Sequence, residues 1–249
     1  MEDLKIEAQS LINVIEENNC NEGCVENAFR EFIELLFKST LEIEGITLHF
    51  TELEVYYYSK KHPDPYVHAH PDQLGGENNF YNHGSGLDIV FGRKADNEQD
   101  NIYFGVLIRG VKFKSDTNVC YIDGPLCVKD RLLNIVQWKE EDQKKSCFVK
   151  ENFLFEYNEA NNKFKIVYLN GGNNDVFIAP RFGLNPKGKE NASGEYLLRN
   201  YRFVIDDNPQ HRYQEKTIVK AIKNRNVKIL DALAKTERLK MIREKLNRE

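Results

Sequence analysis

Apolar residues recur at helical spacing at the start of the chain and then give way to alternation. Met1–Asn18 reads as a helix. Val25–Leu41 reads as a second, with Phe29, Phe32, Ile33, Leu36 and Phe37 at three- and four-residue steps along one stripe. Asn18–Gly23 is the break between them. Ile46–Tyr58, ITLHFTELEVYYY, is rich in β-branched and aromatic residues and predicts a strand. Its parity changes midway. Ile46, Leu48 and Phe50 share a face that continues as Glu52, Glu54 and Tyr56, while the other face becomes apolar through Leu53, Val55 and Tyr57. Either the strand is bulged near Thr51 or both of its faces are partly covered. Bulges often lie beside active sites, where they re-aim side chains.

Pro63, Pro65, Pro71 and then Gly75–Gly76 predict a loop after this strand. Short strands are expected at Leu87–Phe91, Tyr103–Phe113, Phe153–Tyr157, Phe164–Leu169, Asp175–Ile178 and Tyr201–Val204, with a helix at Val128–Ile135. Asn161–Lys163 has the composition of a hairpin turn between two of these strands. From Gln214 to Leu246 the pattern is that of a long, basic, amphipathic helix. The class is therefore α+β: one mixed domain over residues 1–208, and a basic helical tail over residues 209–249.

Composition narrows the setting. The chain has 249 residues, 41% hydrophobic and 30% charged, which is ordinary for a soluble globular protein. No stretch approaches the ~18 apolar residues of a membrane span. The acidic start, MEDLKIEAQ, resembles neither a signal nor a transit peptide. Five cysteines without C-x-x-C spacing fit a reduced, cytoplasmic location and no thiolate zinc site. Charge is unevenly spread: residues 1–44 carry eleven acids against three bases, and residues 209–249 twelve bases against five acids. The net charge of −4 argues against a generally basic nucleic-acid binder but leaves room for a local basic face. Nothing in the sequence fixes an oligomeric state.

Candidate chemistry concentrates in Thr51–Gly92, which holds four of the six histidines. His62, His68, His70 and His83, with Asp64 and Asp72, are suitable metal ligands, yet their spacing matches no recognised metal motif. Glu52, Glu54 and Tyr56 alternate, so a strand places all three on one face. A carboxylate in an aromatic setting can take a proton from water, although surface pairing with lysines is the commoner reason for an isolated E-x-E-x-Y.

Several segments resemble the alkyladenine (3-methyladenine) DNA glycosylase family, in that family's order. E-L-E-V-Y at Glu52–Tyr56, then D-P-Y-V-H at Asp64–His68, is similar to its E-T-E-A-Y strand and D-x-x-x-H step. GLDIVFG at Gly86–Gly92, GVLIRG at Gly105–Gly110 and the helix after Gly124–Pro125 follow, then APRFGL at Ala179–Leu184 and YRFV at Tyr201–Val204. The resemblance spans roughly residues 28–205. It implies a curved antiparallel β core and hydrolysis of the N-glycosidic bond of an alkylated purine flipped out of duplex DNA, with no metal and no organic cofactor. Glu54 would activate water and stabilise an oxocarbenium-like sugar, and Arg109 would keep it ionised. Tyr56 would stack on the base and His68 would wall the pocket. Phe91 would be the wedge that fills the gap left in the duplex.

Two departures stand against this. Asp88 occupies the position of the family's second stacking tyrosine, and residues 72–86 carry no Lys or Arg where the family has a basic loop. The basic tail, through Lys216, Lys220, Lys223, Arg225 and Lys228, is the alternative source of phosphate contacts. The rival expectation is a non-catalytic module that binds a nucleotide or another small ligand on the same fold.

Overall fold

The computed structural model describes residues 2–17, 20–43, 45–75, 80–114, 118–135, 164–168, 176–184 and 195–205. The expected strand at Phe153–Tyr157, the Asn161–Lys163 turn and the basic tail lie outside them. The order of elements is α1 (Glu2–Glu16), α2 (Glu22–Phe37), β1 (Ser39–Ile43), β2 (Ile46–Tyr58), β3 (Phe80–His83), β4 (Gly86–Val90), β5 (Tyr103–Lys114), β6 (Val119–Asp123), α3 (Pro125–Ile135), β7 (Phe164–Tyr168), β8 (Val176–Ala179), α4 (Glu195–Leu198) and β9 (Arg202–Ile205). The class is α+β, as expected.

All described strand pairings are antiparallel and join nine strands in one curled sheet. Its spine is the long pair β2–β5, and each partner forks. β2 pairs β1 along its first half and β9 beyond the bulge. β5 pairs β4 along its first half and β6 along its second. Strands that share only half their length with a neighbour must splay, which bends the sheet into a half-barrel.

The helices follow their apolar stripes. Asn21 caps α2 by accepting from the Cys24 N–H at 3.0 Å, and Val25, Phe29, Phe32, Ile33, Leu36 and Phe37 are buried. Phe29 and Phe32 meet Tyr57 and Phe104 on the inner face of the sheet. Arg199 pairs with Glu22 at 3.0 Å, tying the first turn of α2 to the segment before β9. Cys20 and Cys24 are joined in a disulfide at this helix start, contrary to the expectation that the cysteines are reduced. The second helix also ends earlier than expected. Ser39–Ile43 leaves it to form β1, whose register with β2 closes at Ile43–Ile46, with Gly45 at φ 80°.

The parity change in β2 has both of the expected causes. The register passes from Phe50–Val111 to Glu52–Gly110 and then to Leu53–Ile108, so Thr51 is the extra residue on β2 and Arg109 the extra residue on β5. Two opposed bulges cancel in register but re-aim their side chains. They require Gly110, because a Cβ there would lie 2.5 Å from Thr51 Oγ1. Both faces of β2 are covered as well: Leu53, Val55, Glu52 and Glu54 are all 0% exposed.

Candidate active site around Glu54

Burying Glu52 and Glu54 in one sheet face demands compensating cations, since an unpaired buried carboxylate is costly. The bulge at Arg109 and the next strand, β9, supply them. Glu52 Oε1 accepts from Arg109 Nε at 2.6 Å and from Arg202 Nε at 2.7 Å. Glu54 is held differently. Its Oε2 accepts from Tyr56 Oη at 3.0 Å and lies 3.5 Å from Arg109 Nη1, and its Oε1 accepts from the Phe182 N–H at 2.6 Å. Glu52 therefore anchors the arginines, whereas Glu54 takes its closest contacts from neutral donors.

Tyr56 is held from behind. The Arg181 guanidinium lies 4.7 Å from its ring centroid and pairs with fully buried Asp64 at 2.7 Å. Burial works against the Arg181 cation, but Asp64, Tyr56 and Glu54 outweigh it and hold the charge. Burial first, and then the Glu54 carboxylate, raise the Tyr56 phenol well above its usual range, so it stays a donor at neutral pH. One face of Tyr56 thus already carries a cation. Asp64 also accepts from the Tyr66 N–H at 3.0 Å, which fixes the turn leading to His68.

His68 and Asp88 belong to a second cluster, one strand further along. Glu54 and Asp88 are both register partners of Leu107, so they share a face roughly 10 Å apart. Asp88 is buried, with His83 Nε2 at 3.1 Å and Gln73 Nε2 at 3.3 Å. The Ser85 N–H donates to His83 Nδ1, so Nε2 carries the proton toward Asp88. The cluster fits over Gly105, where a Cβ would lie 2.7 Å from Asp88 Oδ2. Exposed His68 sits at its edge, 3.3 Å from Tyr81 Oη and edge-on to His83.

Phe91 is elsewhere. It is 6% exposed, on the opposite face with Leu87 and Ile89, T-shaped against Phe32 at 4.9 Å and next to Phe104. A wedge must project, and this side chain is core. The histidine cluster also divides. Buried His62 contacts Tyr201 Oη at 3.2 Å and Arg199 Nη1 at 3.3 Å; burial and the cations Arg199 and Arg181 lower its pKa from 6.5 to about 3. Among the described residues no three His, Cys, Asp or Glu side chains converge as a metal-holding group. No described helix is long and apolar enough to cross a membrane.

The structure therefore brings Glu54, Tyr56 and Arg109 together, places His68 and Asp88 alongside, and separates Phe91. Arg181, Phe182 and Arg202 complete the site without having been singled out from sequence. The available signal was the need of two buried carboxylates for cations, and APRFGL and YRFV carry them. No family model matches the chain. It is similar to an uncharacterized protein, L759, of Acanthamoeba polyphaga mimivirus, with 27% identity over 199 residues that cover 72% of this chain and 87% of that protein.

Proposed function

We propose that this chain hydrolyses the N-glycosidic bond of an alkylated, 3-methyladenine-type purine extruded from duplex DNA. The observation that supports this reading is the setting of Glu54: a fully buried carboxylate on a bulged strand, held by Phe182 N–H, Tyr56 O–H and Arg109. Departure of a purine leaves positive charge on the sugar, and a fixed, ionised carboxylate in a water-poor site stabilises that charge better than a solvated one. Glu54 also orients the attacking water and accepts its proton once the Phe182 N–H yields Oε1. Glu52 fixes Arg109 beside Glu54. Tyr56 offers the ring face not covered by Arg181 to the base. The resemblance to the alkyladenine DNA glycosylase family carries the choice of substrate, and the fold assignment to that family is part of the same proposal. Duplex DNA is the partner, with the basic segment after residue 208 meeting phosphates. The test is base release from alkylated duplex DNA by the parent protein and by Glu54→Gln.

Asp88 favours a second reading, a non-catalytic module that binds a nucleotide or another small ligand. A buried carboxylate held by His83 and Gln73 occupies the strand row beside the site and suits a fixed polar contact rather than a stacked ring. Gel-shift titration across salt concentration separates the two. A duplex-binding enzyme loses affinity steeply with salt, and a small-ligand module gives a flat response.

A further inference from the structure

Phe182 is exposed, at 36%, whereas Tyr56 and Tyr201, which pack on the neighbouring Arg181, are half-buried and buried. It sits at the carboxylate itself. Its own N–H donates to Glu54 Oε1 at 2.6 Å, so the peptide that carries the ring is pinned to the site. Arg181, one residue earlier, turns inward to Asp64 and Tyr56. The Phe182 ring instead lies toward Arg109 and Arg202, whose guanidinium carbons are 5.8 and 5.6 Å from its centroid. Gly183 follows at φ 78°, a left-handed conformation that glycine adopts without strain. Tyr56 through its hydroxyl and Phe182 through its backbone N–H thus reach Glu54 at different carboxylate oxygens.

We propose that Phe182 is a substrate-contact residue, the second aromatic wall of the Glu54 site, which stacks on the planar ring of a purine presented to that carboxylate. The inference rests on the reading of Glu54 as the centre of the ligand site. It does not require that hydrolysis follow. An exposed phenyl ring suits this role because stacking on an aromatic face is tolerant of base identity, and an electron-poor alkylated purine gains most from it. The two guanidiniums that lie over the ring stay bound to Glu52.

The experiment uses the full chain. The single tryptophan, Trp138, is first replaced by phenylalanine so that F182W supplies the only indole. This variant is titrated with 7-methylguanosine monophosphate, guanosine monophosphate and an alkylated duplex, and binding is measured in parallel by calorimetry. The proposal predicts quenching of the indole on binding. It also predicts affinity weakened about 5- to 100-fold in F182A and recovered in F182Y, with any catalytic loss in F182A falling on KM more than on kcat. Binding without quenching, parent-like affinity in F182A, or no binding of any of these probes by the parent overturns it. Failure of the hydrolytic reading is distinguishable: a parent protein that binds purines in a Phe182-dependent way but releases no base refutes the reaction and supports the contact. Excision with unchanged KM in F182A does the reverse.

Discussion

Replacing Glu52 with glutamine removes a carboxylate on which two guanidiniums converge. Glu52 is 0% exposed, and its Oε1 accepts from Arg109 Nε at 2.6 Å and Arg202 Nε at 2.7 Å. Removing one partner of a buried ion pair costs about 3–5 kcal/mol, because the remaining charge is left uncompensated. Glu54→Gln is milder. Its contact with Arg109 is long, at 3.5 Å, and its two closer partners are neutral donors, so the cost is that of a strained hydrogen-bond network, about 1–3 kcal/mol. Urea unfolding followed by circular dichroism should therefore place the Glu52→Gln midpoint about 1–2 M below the parent, and Glu54→Gln clearly above it. Glu52→Gln combined with Arg202→Gln removes charge in balance and should recover part of the loss. An equal or smaller loss for Glu52→Gln than for Glu54→Gln, or full additivity in the double variant, would refute the division between an anchoring and a working carboxylate.

His62 should make the fold acid-sensitive. Burial, then Arg199 and Arg181, lower its folded pKa from 6.5 to about 3, so between these values the unfolded chain binds a proton that the folded chain does not. Stability is full above pH 6.5 and falls as the pH drops toward 3, with about 2 kcal/mol lost between pH 7 and pH 5; His62→Gln should flatten that part of the profile of urea midpoints against pH. A parent profile that is already flat over this range would contradict the burial of a neutral imidazole. Gly110→Ala should destabilise by about 1–3 kcal/mol, since its Cβ would meet Thr51 Oγ1 at 2.5 Å inside the paired bulges. Thermal unfolding within 1 °C of the parent would count against the bulge geometry.

Much of the scaffold was legible because its signals were local. The parity change at Thr51 pointed to the bulge, and the stripe of Phe29, Phe32, Ile33 and Leu36 became the buried face of α2. β1 was hidden because Leu41 fits both a helical step from Phe37 and an alternation with Ser39 and Ile43; pairing with β2 decides between them. β3 and β6 are short, and they are strands because β4 and β5 offer them edges. The candidate site joins Glu54, Tyr56 and Arg109, which local pattern and resemblance already singled out, but the cations Arg181 and Arg202 come from more than a hundred residues away and leave no local periodicity. Phe91 was misplaced although parity was informative. It alternates with Leu87 and Ile89, both fully buried, and shares their face rather than that of Asp88.

Glu54 is the point on which the functional account turns, and a single comparison tests it. Parent and Glu54→Gln proteins, both verified as folded by circular dichroism, are incubated in excess with duplex DNA containing 3-methyladenine-type lesions, and released base is measured over time. The account predicts lesion-dependent release by the parent, reduced at least about 100-fold in Glu54→Gln. Equal release by both proteins would contradict the role of Glu54, and no release by the parent would contradict the proposed reaction.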